Sequence, residues 1–168
     1  MTAVDNITSL RQRREAIVLQ HAEAENRHDV EATIATFHHP RYEFNGEPSD
    51  GEEAVRELLQ GLMRGFPDFH ANIGKMRHAD DAIIIEGLIT GTHDGEWAGI
   101  RPTGRRIGVP AAAIFEFDED QLLCEKVYMD FAAVLTQIGV LPAIGPGLSL
   151  AQVIDHLSRG WRKASKLA

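Results

Sequence analysis

Ala82-Ile83-Ile84-Ile85 opens the stretch whose reading decides the fold, and Tyr128-Met129-Asp130 closes it. Between them lie Gly91-Thr92-His93-Asp94-Gly95, Gly99-Ile100-Arg101-Pro102-Thr103-Gly104, Val109-Pro110 and a run from Ala111 to Phe117 that reverses at Asp118-Glu119-Asp120. β-type segments separated by Gly, Pro and Asp turns predict a curved sheet built of consecutive hairpins. A carboxylate follows the last, mostly apolar strand, which makes Asp130 the first candidate for chemistry.

Working outward, Phe69–His78 and Ala82–His93 read as strands around a tight Ala79-Asp80-Asp81 turn. Arg105–Phe117 and Gln121–Asp130 form the next pair. Upstream, Thr8–Arg27 has no Gly or Pro and gathers Leu10, Ile17, Val18 and Ala24 on one side, as a helix does. Asp29 caps a second short helix through Val30, Ile34 and Phe37, which Pro40 ends. Arg41–Asn45 is a short strand closed by Asn45-Gly46. Ser49-Asp50-Gly51-Glu52 has the pattern of a capping box, with Val55, Leu58, Leu59, Leu62 and Phe66 striping the helix it would start. A short helix follows from Ala132 to Ile138, then a Pro/Gly segment, then an amphipathic helix that begins at Ser149 and has a basic end at Arg159, Arg162, Lys163 and Lys166. Helices first and an antiparallel meander second predict an α+β domain over residues 1–140, with helices on one face of a strongly bent, mixed or antiparallel sheet. Residues 141–168 read as a C-terminal extension packed on that domain or on a partner subunit.

The 168 residues carry a net charge of −8, which disfavours nucleic acid as a partner. No run has the length of a membrane span or a signal-peptide core, and the lone Cys124 allows no internal disulfide, so a cytoplasmic protein is expected. The eight histidines include no His-x-x-x-His pair or Cys/His cluster, so no metal is expected. A phosphate-cradling Gly loop and a Gly-x-Ser-x-Gly elbow are both missing from the sequence.

Strand alternation from Asp130 puts Tyr128, Lys126, Cys124 and Leu122 on its face, with Phe115 and Phe117 joining them if the hairpin closes through a four-residue turn. In an apolar cavity a carboxylate gains proton affinity and becomes a useful base near neutrality; at a strand end the same residue can simply cap the helix near Ala132. His93 shares parity with Ile83, Ile85, Gly87, Ile89 and Gly91. It either donates a hydrogen bond to a developing enolate or orders the loop between Gly91 and Gly104. Glu86 and Glu116 read as solvated outward acids. Trp97, Phe44 and Phe37 read as pocket walls or core aromatics, which look alike in sequence.

Phe66-Pro67-Asp68, Gly91-Thr92-His93-x-Gly95, Gly99-Ile100-x-Pro102-Thr103-Gly104-Arg105, Tyr128-x-Asp130 and Gln137-Ile138-Gly139 together resemble the SnoaL-like polyketide cyclase (ester cyclase) family, over about Arg14 to Gly139. The resemblance implies a nuclear transport factor 2-like cone, a bent sheet wrapped around a pocket closed by helices. It implies ring closure by intramolecular aldol condensation without metal or organic cofactor, and an aspartate general acid/base at Asp130. Many relatives carry tryptophan where this chain has Gly87 and Lys126, which implies a reshaped pocket. The reading is cofactor-independent acid/base catalysis on a small hydrophobic carbonyl compound. Asp130 and His93 are catalytic, while Lys126, Tyr128, Phe115, Trp97, Phe44 and Phe37 bind substrate. The chain is expected to form a homodimer through the sheet's outer face. Isomerisation and dehydration share the enolate; a non-catalytic ligand-binding or dimerisation module is the rival of another class.

Overall fold

The computed structural model of the chain describes residues 3–141, with side chains from residue 9 onward. The C-terminal amphipathic helix read from Ser149 lies outside the described residues. The chain folds as α1 (Ala3–Asn26), α2 (Val30–Ile34), β1 (Arg41–Phe44), β2 (Glu47–Asp50), α3 (Glu52–Gly65), β3 (His70–His78), β4 (Ala82–Thr92), β5 (Arg106–Asp118), β6 (Gln121–Met129) and α4 (Phe131–Gln137). This is the expected α+β class: one curved six-stranded sheet, ordered β2-β1-β6-β5-β4-β3, left open, with helices against its inner face.

The turns form where short-range chemistry places them. Asn45 and Gly46 both take positive φ (49° and 88°), the geometry that lets a two-residue hairpin follow strand twist, and so join β1 to β2. Ala79 N donates to Ala82 O at 2.8 Å to close the β3–β4 turn. Asp29 accepts from Ala32 N at 3.0 Å and caps α2.

One local expectation is corrected. Ser49 and Asp50 do not cap α3. They pair with Tyr42 and Arg41 in β2, and Gly51, at φ 87°, is the N-cap with no side-chain hydrogen bond. Ladder pairing occupies the residues that the capping-box pattern would have used. The sheet is mixed, as expected: β1 runs parallel to β6, with Tyr42 opposite Glu125, and the other strand pairs are antiparallel.

The β5–β6 hairpin sets which side chains face inward. Its register shifts between Glu116 and Phe117, so Glu116 pairs with Cys124 while Phe117 pairs with Leu122, and Leu123 is the extra residue. A bulge of one residue reverses the facing of everything beyond it. Phe115, Phe117 and Leu122 therefore join Val18, Phe37, Ile83 and Ile85 in one buried cluster. Beyond the bulge, Glu125 and Val127 face inward, and Lys126 and Tyr128 face outward.

Phe66, Phe69, Ile107, Val109, Val134 and Ile138 form a second cluster where α3, the β4–β5 loop and α4 meet. Gly95 lies so close to α3 that a Cβ there would fall on the Arg64 carbonyl oxygen. Among the described residues no helix is long and apolar enough to cross a membrane.

Candidate active site

Inside the cone, between α1 and the sheet, three ionisable side chains converge: His21, fully buried, Glu25, 5% exposed, and Glu125, 3% exposed. One helical turn separates His21 from Glu25, so both project from the same face of α1. Glu125 reaches them from β6, flanked in the sheet by Phe115 on β5 and Tyr42 on β1. His21 Nε2 stands 2.9 Å from Glu125 Oε2 and 3.7 Å from Glu25 Oε1. The imidazole is held edge-on by Phe37 and Phe115, with ring centroids 5.1 and 5.5 Å away.

The other ring nitrogen fixes the tautomer. Thr36 Oγ1 donates to Thr33 O at 2.7 Å, so at 2.7 Å from His21 Nδ1 it accepts, and Nδ1 carries a hydrogen. Burial alone opposes charge on His21, but the Glu125 and Glu25 carboxylates outweigh it and raise the pKa to about 10. Burial, then the neighbouring Glu25 charge, pushes Glu125 up, and His21 limits the rise. Burial and the same two carboxylates push the Tyr42 phenol well up, so it stays a hydrogen-bond donor at neutral pH.

Glu25, Glu125 and Tyr42 border a cavity in two adjoining compartments that share Tyr42, Phe69, Ile89 and Val127. One, of about 60 Å³, contains Glu25 and Glu125 in its wall and reaches exposed Asn72 and Leu88 at the β3–β4 rim. The other, of about 90 Å³, is walled by Phe44, Leu58, Leu62, Phe66, Trp97 and Met129 among others, with Tyr42 its one hydroxyl-bearing side chain. An apolar pocket with a few convergent polar groups at one end is the usual form of a small-molecule site.

The residues singled out from sequence scatter around this centre. Phe115 lines the first compartment, and Trp97 and Phe44 line the second. Phe37 packs in the core against His21 instead of lining the cavity. Lys126 and Tyr128 are corrected to the outer face: Lys126 Nζ bonds Glu116 Oε1 at 2.7 Å, and Tyr128 is 45% exposed. Glu86 is outward as expected, paired with Arg77 at 2.6 Å.

Asp130 is exposed rather than enclosed. It is the N-cap of α4, accepting from Ala133 N at 2.9 Å. As an exposed cap, its carboxylate contributes to the stability of α4. Asp130→Ala is expected to cost about 1 kcal/mol in urea unfolding.

His93 is fully buried but stands behind the cavity wall, stacked on Phe66 at 5.3 Å. Its carbonyl accepts from Thr103 N and Gly104 N, its N–H donates to Arg105 O, and Nδ1 lies 3.1 Å from Thr103 Oγ1. Burial lowers its pKa. Of the two roles left open from sequence, the loop-ordering one matches these contacts. Gly87 sits where a Cβ would run into Asn72 O across the β3 bulge, so a larger residue needs a different β3 backbone.

Sequence reasoning missed His21, Glu25 and Glu125. The signal was the i, i+4 pair of ionisable residues on the stripe that also carries Val18 and Ala22.

A family profile described as SnoaL-like polyketide cyclase matches residues 15–138. AclR from Streptomyces galilaeus, described as a candidate hydroxylase, has a similar structure: TM-score 0.69, 21% identity, covering 91% of this chain and 94% of AclR. A candidate SnoaL-like polyketide cyclase from Jannaschia sp. CCS1 gives 0.70 and 22%, covering 78% and 94%. A protein of ketosteroid isomerase-like fold from Catenulispora acidiphila gives 0.65 and 21%, covering 77% and 97%. No curated protein matches the chain.

Proposed function

Since the chain belongs to the SnoaL-like polyketide cyclase family, we propose that its cavity binds a small hydrophobic carbonyl compound and transfers a proton at the carbon next to the carbonyl. Glu125 is the base. It takes the α-proton, the electron pair of the C–H bond moves into the enolate, and the Tyr42 phenol donates a hydrogen bond to the enolate oxygen. His21, beside Glu125, balances the carboxylate charge before transfer and orients it through the Thr36 contact. The enolate carbon then attacks a second carbonyl of the same molecule, whose π pair moves to its oxygen and takes the proton back from Glu125, which is aldol ring closure; return of the proton at a different carbon gives isomerisation instead. One observation carries the proposal: a 97%-buried carboxylate in the wall of a mostly apolar cavity. Asp130 and His93, which the family resemblance and strand parity favoured, are assigned capping and loop-ordering roles. Pairing of two copies through the outer sheet face, where Leu88 and Tyr128 are exposed, belongs to the same proposal.

The test is solvent deuterium exchange, followed by NMR, on a panel of small apolar ketones and diketones incubated with the protein. Saturable α-deuteration above the buffer rate is the expected result. Ketones that bind, seen as a change in Trp97 emission, without any acceleration of exchange would favour a binding module over an enzyme.

A further inference from the structure

His21, Glu25 and Glu125 present three acceptor atoms to one buried point. His21 Nε2, Glu25 Oε1 and Glu125 Oε2 all lie within 4.8 Å of one another, and none has an aligned hydrogen-bond partner among the protein's own atoms. Because Nδ1–H is committed to Thr36 Oγ1, the neutral imidazole directs its Nε2 lone pair at the two carboxylates. Three lone pairs facing each other in an apolar interior require positive charge between them. Two protons neutralise the cluster; so does one divalent cation.

From this convergence we propose that His21, Glu25 and Glu125 form a binding site for a divalent transition-metal ion of the Zn²⁺ type. One imidazole and two carboxylates are a common three-ligand set for such an ion, leaving a fourth position. Ligand bonds near 2.1 Å place tetrahedral donor atoms about 3.4 Å apart. The present 2.9 and 3.7 Å separations bracket that value, so small side-chain movements complete the site. The Thr36 hydroxyl already supplies the contact that holds a metal-binding histidine in the required tautomer. Since Glu25 and Glu125 also border the cavity, the fourth position faces the space where a small molecule would lie. Ca²⁺ and Mg²⁺ are disfavoured, because they need six or more oxygen ligands or retained waters. This binding does not depend on the catalytic reading. If that reading holds, an ion occupying Glu125 abolishes its action as a base, and the metal inhibits.

The experiment titrates Co²⁺, then Zn²⁺ in competition, into the chelator-treated full chain at about pH 8. Visible absorption of bound Co²⁺ and calorimetry are the readouts. One saturable equivalent is expected. Glu125→Gln and Glu25→Gln, which keep side-chain volume and are checked for folding by circular dichroism, should each weaken binding at least tenfold. Thr36→Val should weaken it by about 10–100-fold as a positioning residue, while a His38→Ala/His39→Ala control at the exposed pair leaves it unchanged. The inference is overturned if the folded wild type binds no stoichiometric ion. It is also overturned if both Gln variants bind like wild type, which would assign the ion to surface histidines. Failure of the ketone exchange test with stoichiometric binding intact would sink the catalytic reading and leave the metal site standing.

Discussion

Glu125→Gln is expected to lower α-proton exchange and turnover of the bound carbonyl compound by about 10²–10⁴-fold, the usual size of a lost general base. Gln keeps the shape and the inward position opposite Phe115 and Tyr42 but accepts no proton. Ligand affinity, read from Trp97 emission in the second compartment, should change little, because Trp97, Phe44 and Leu62 supply the apolar contact. A loss confined to KM would mean that Glu125 binds substrate without taking its proton.

The second large effect is on stability. His21→Ala removes the positive partner from two buried carboxylates, and breaking a buried ionic cluster by deleting one member costs about 3–5 kcal/mol. The fully buried ring also fills space between Phe37 and Phe115, so cavity formation adds to the loss.

The pH dependence follows from the direction of the shifts. The folded-state pKa of His21 is raised from 6.5 to about 10, so its contribution is fully present below 6.5 and is lost as pH rises through about 10. Glu125 is also raised, from 4.5 to about 7, so its proton stabilises the fold below 4.5 and that contribution is lost as pH rises through about 7. From these two groups, wild-type stability falls with rising pH over both windows. In Glu125→Gln the lower window disappears and the upper one contracts, because the carboxylate that raised His21 most is gone. Urea midpoints at half-unit steps from about pH 5 to 9 check both signs.

Much of the architecture was legible because it rests on short-range chemistry. Asn45-Gly46 announces a hairpin, Asp29 a helix cap, and the alternation from Ile83 to Gly91 an inward strand face; each is found in the structure. The parallel β1–β6 pairing was not legible, since residues some eighty positions apart carry no local mark of their meeting. Ser49-Asp50 misled because the same polar residues suit a cap and a solvated edge strand, and Tyr42 and Arg41 offered a ladder.

The buried carboxylate that the proposal rests on is not the one strand parity favoured. Strand parity counted back from Asp130 is sound as far as the bulge, but Asp130 belongs to the start of α4, not to β6. Its neighbours Tyr128 and Lys126 face outward, and the acid one position away, Glu125, faces the cavity. His21 and Glu25 carry only a mixed His/Glu i, i+4 spacing on an apolar stripe, a pattern that solvated helix faces share.

Proton transfer from the cone's interior is measured most directly by comparing Glu125→Gln and Asp130→Asn on one carbonyl substrate, with deuterium exchange and kcat recorded for both. Loss of exchange by two orders of magnitude or more in Glu125→Gln, with Asp130→Asn close to wild type, is the predicted result. The reverse order, with Asp130→Asn inactive and Glu125→Gln still turning over, would contradict it and return the chemistry to the mouth of α4.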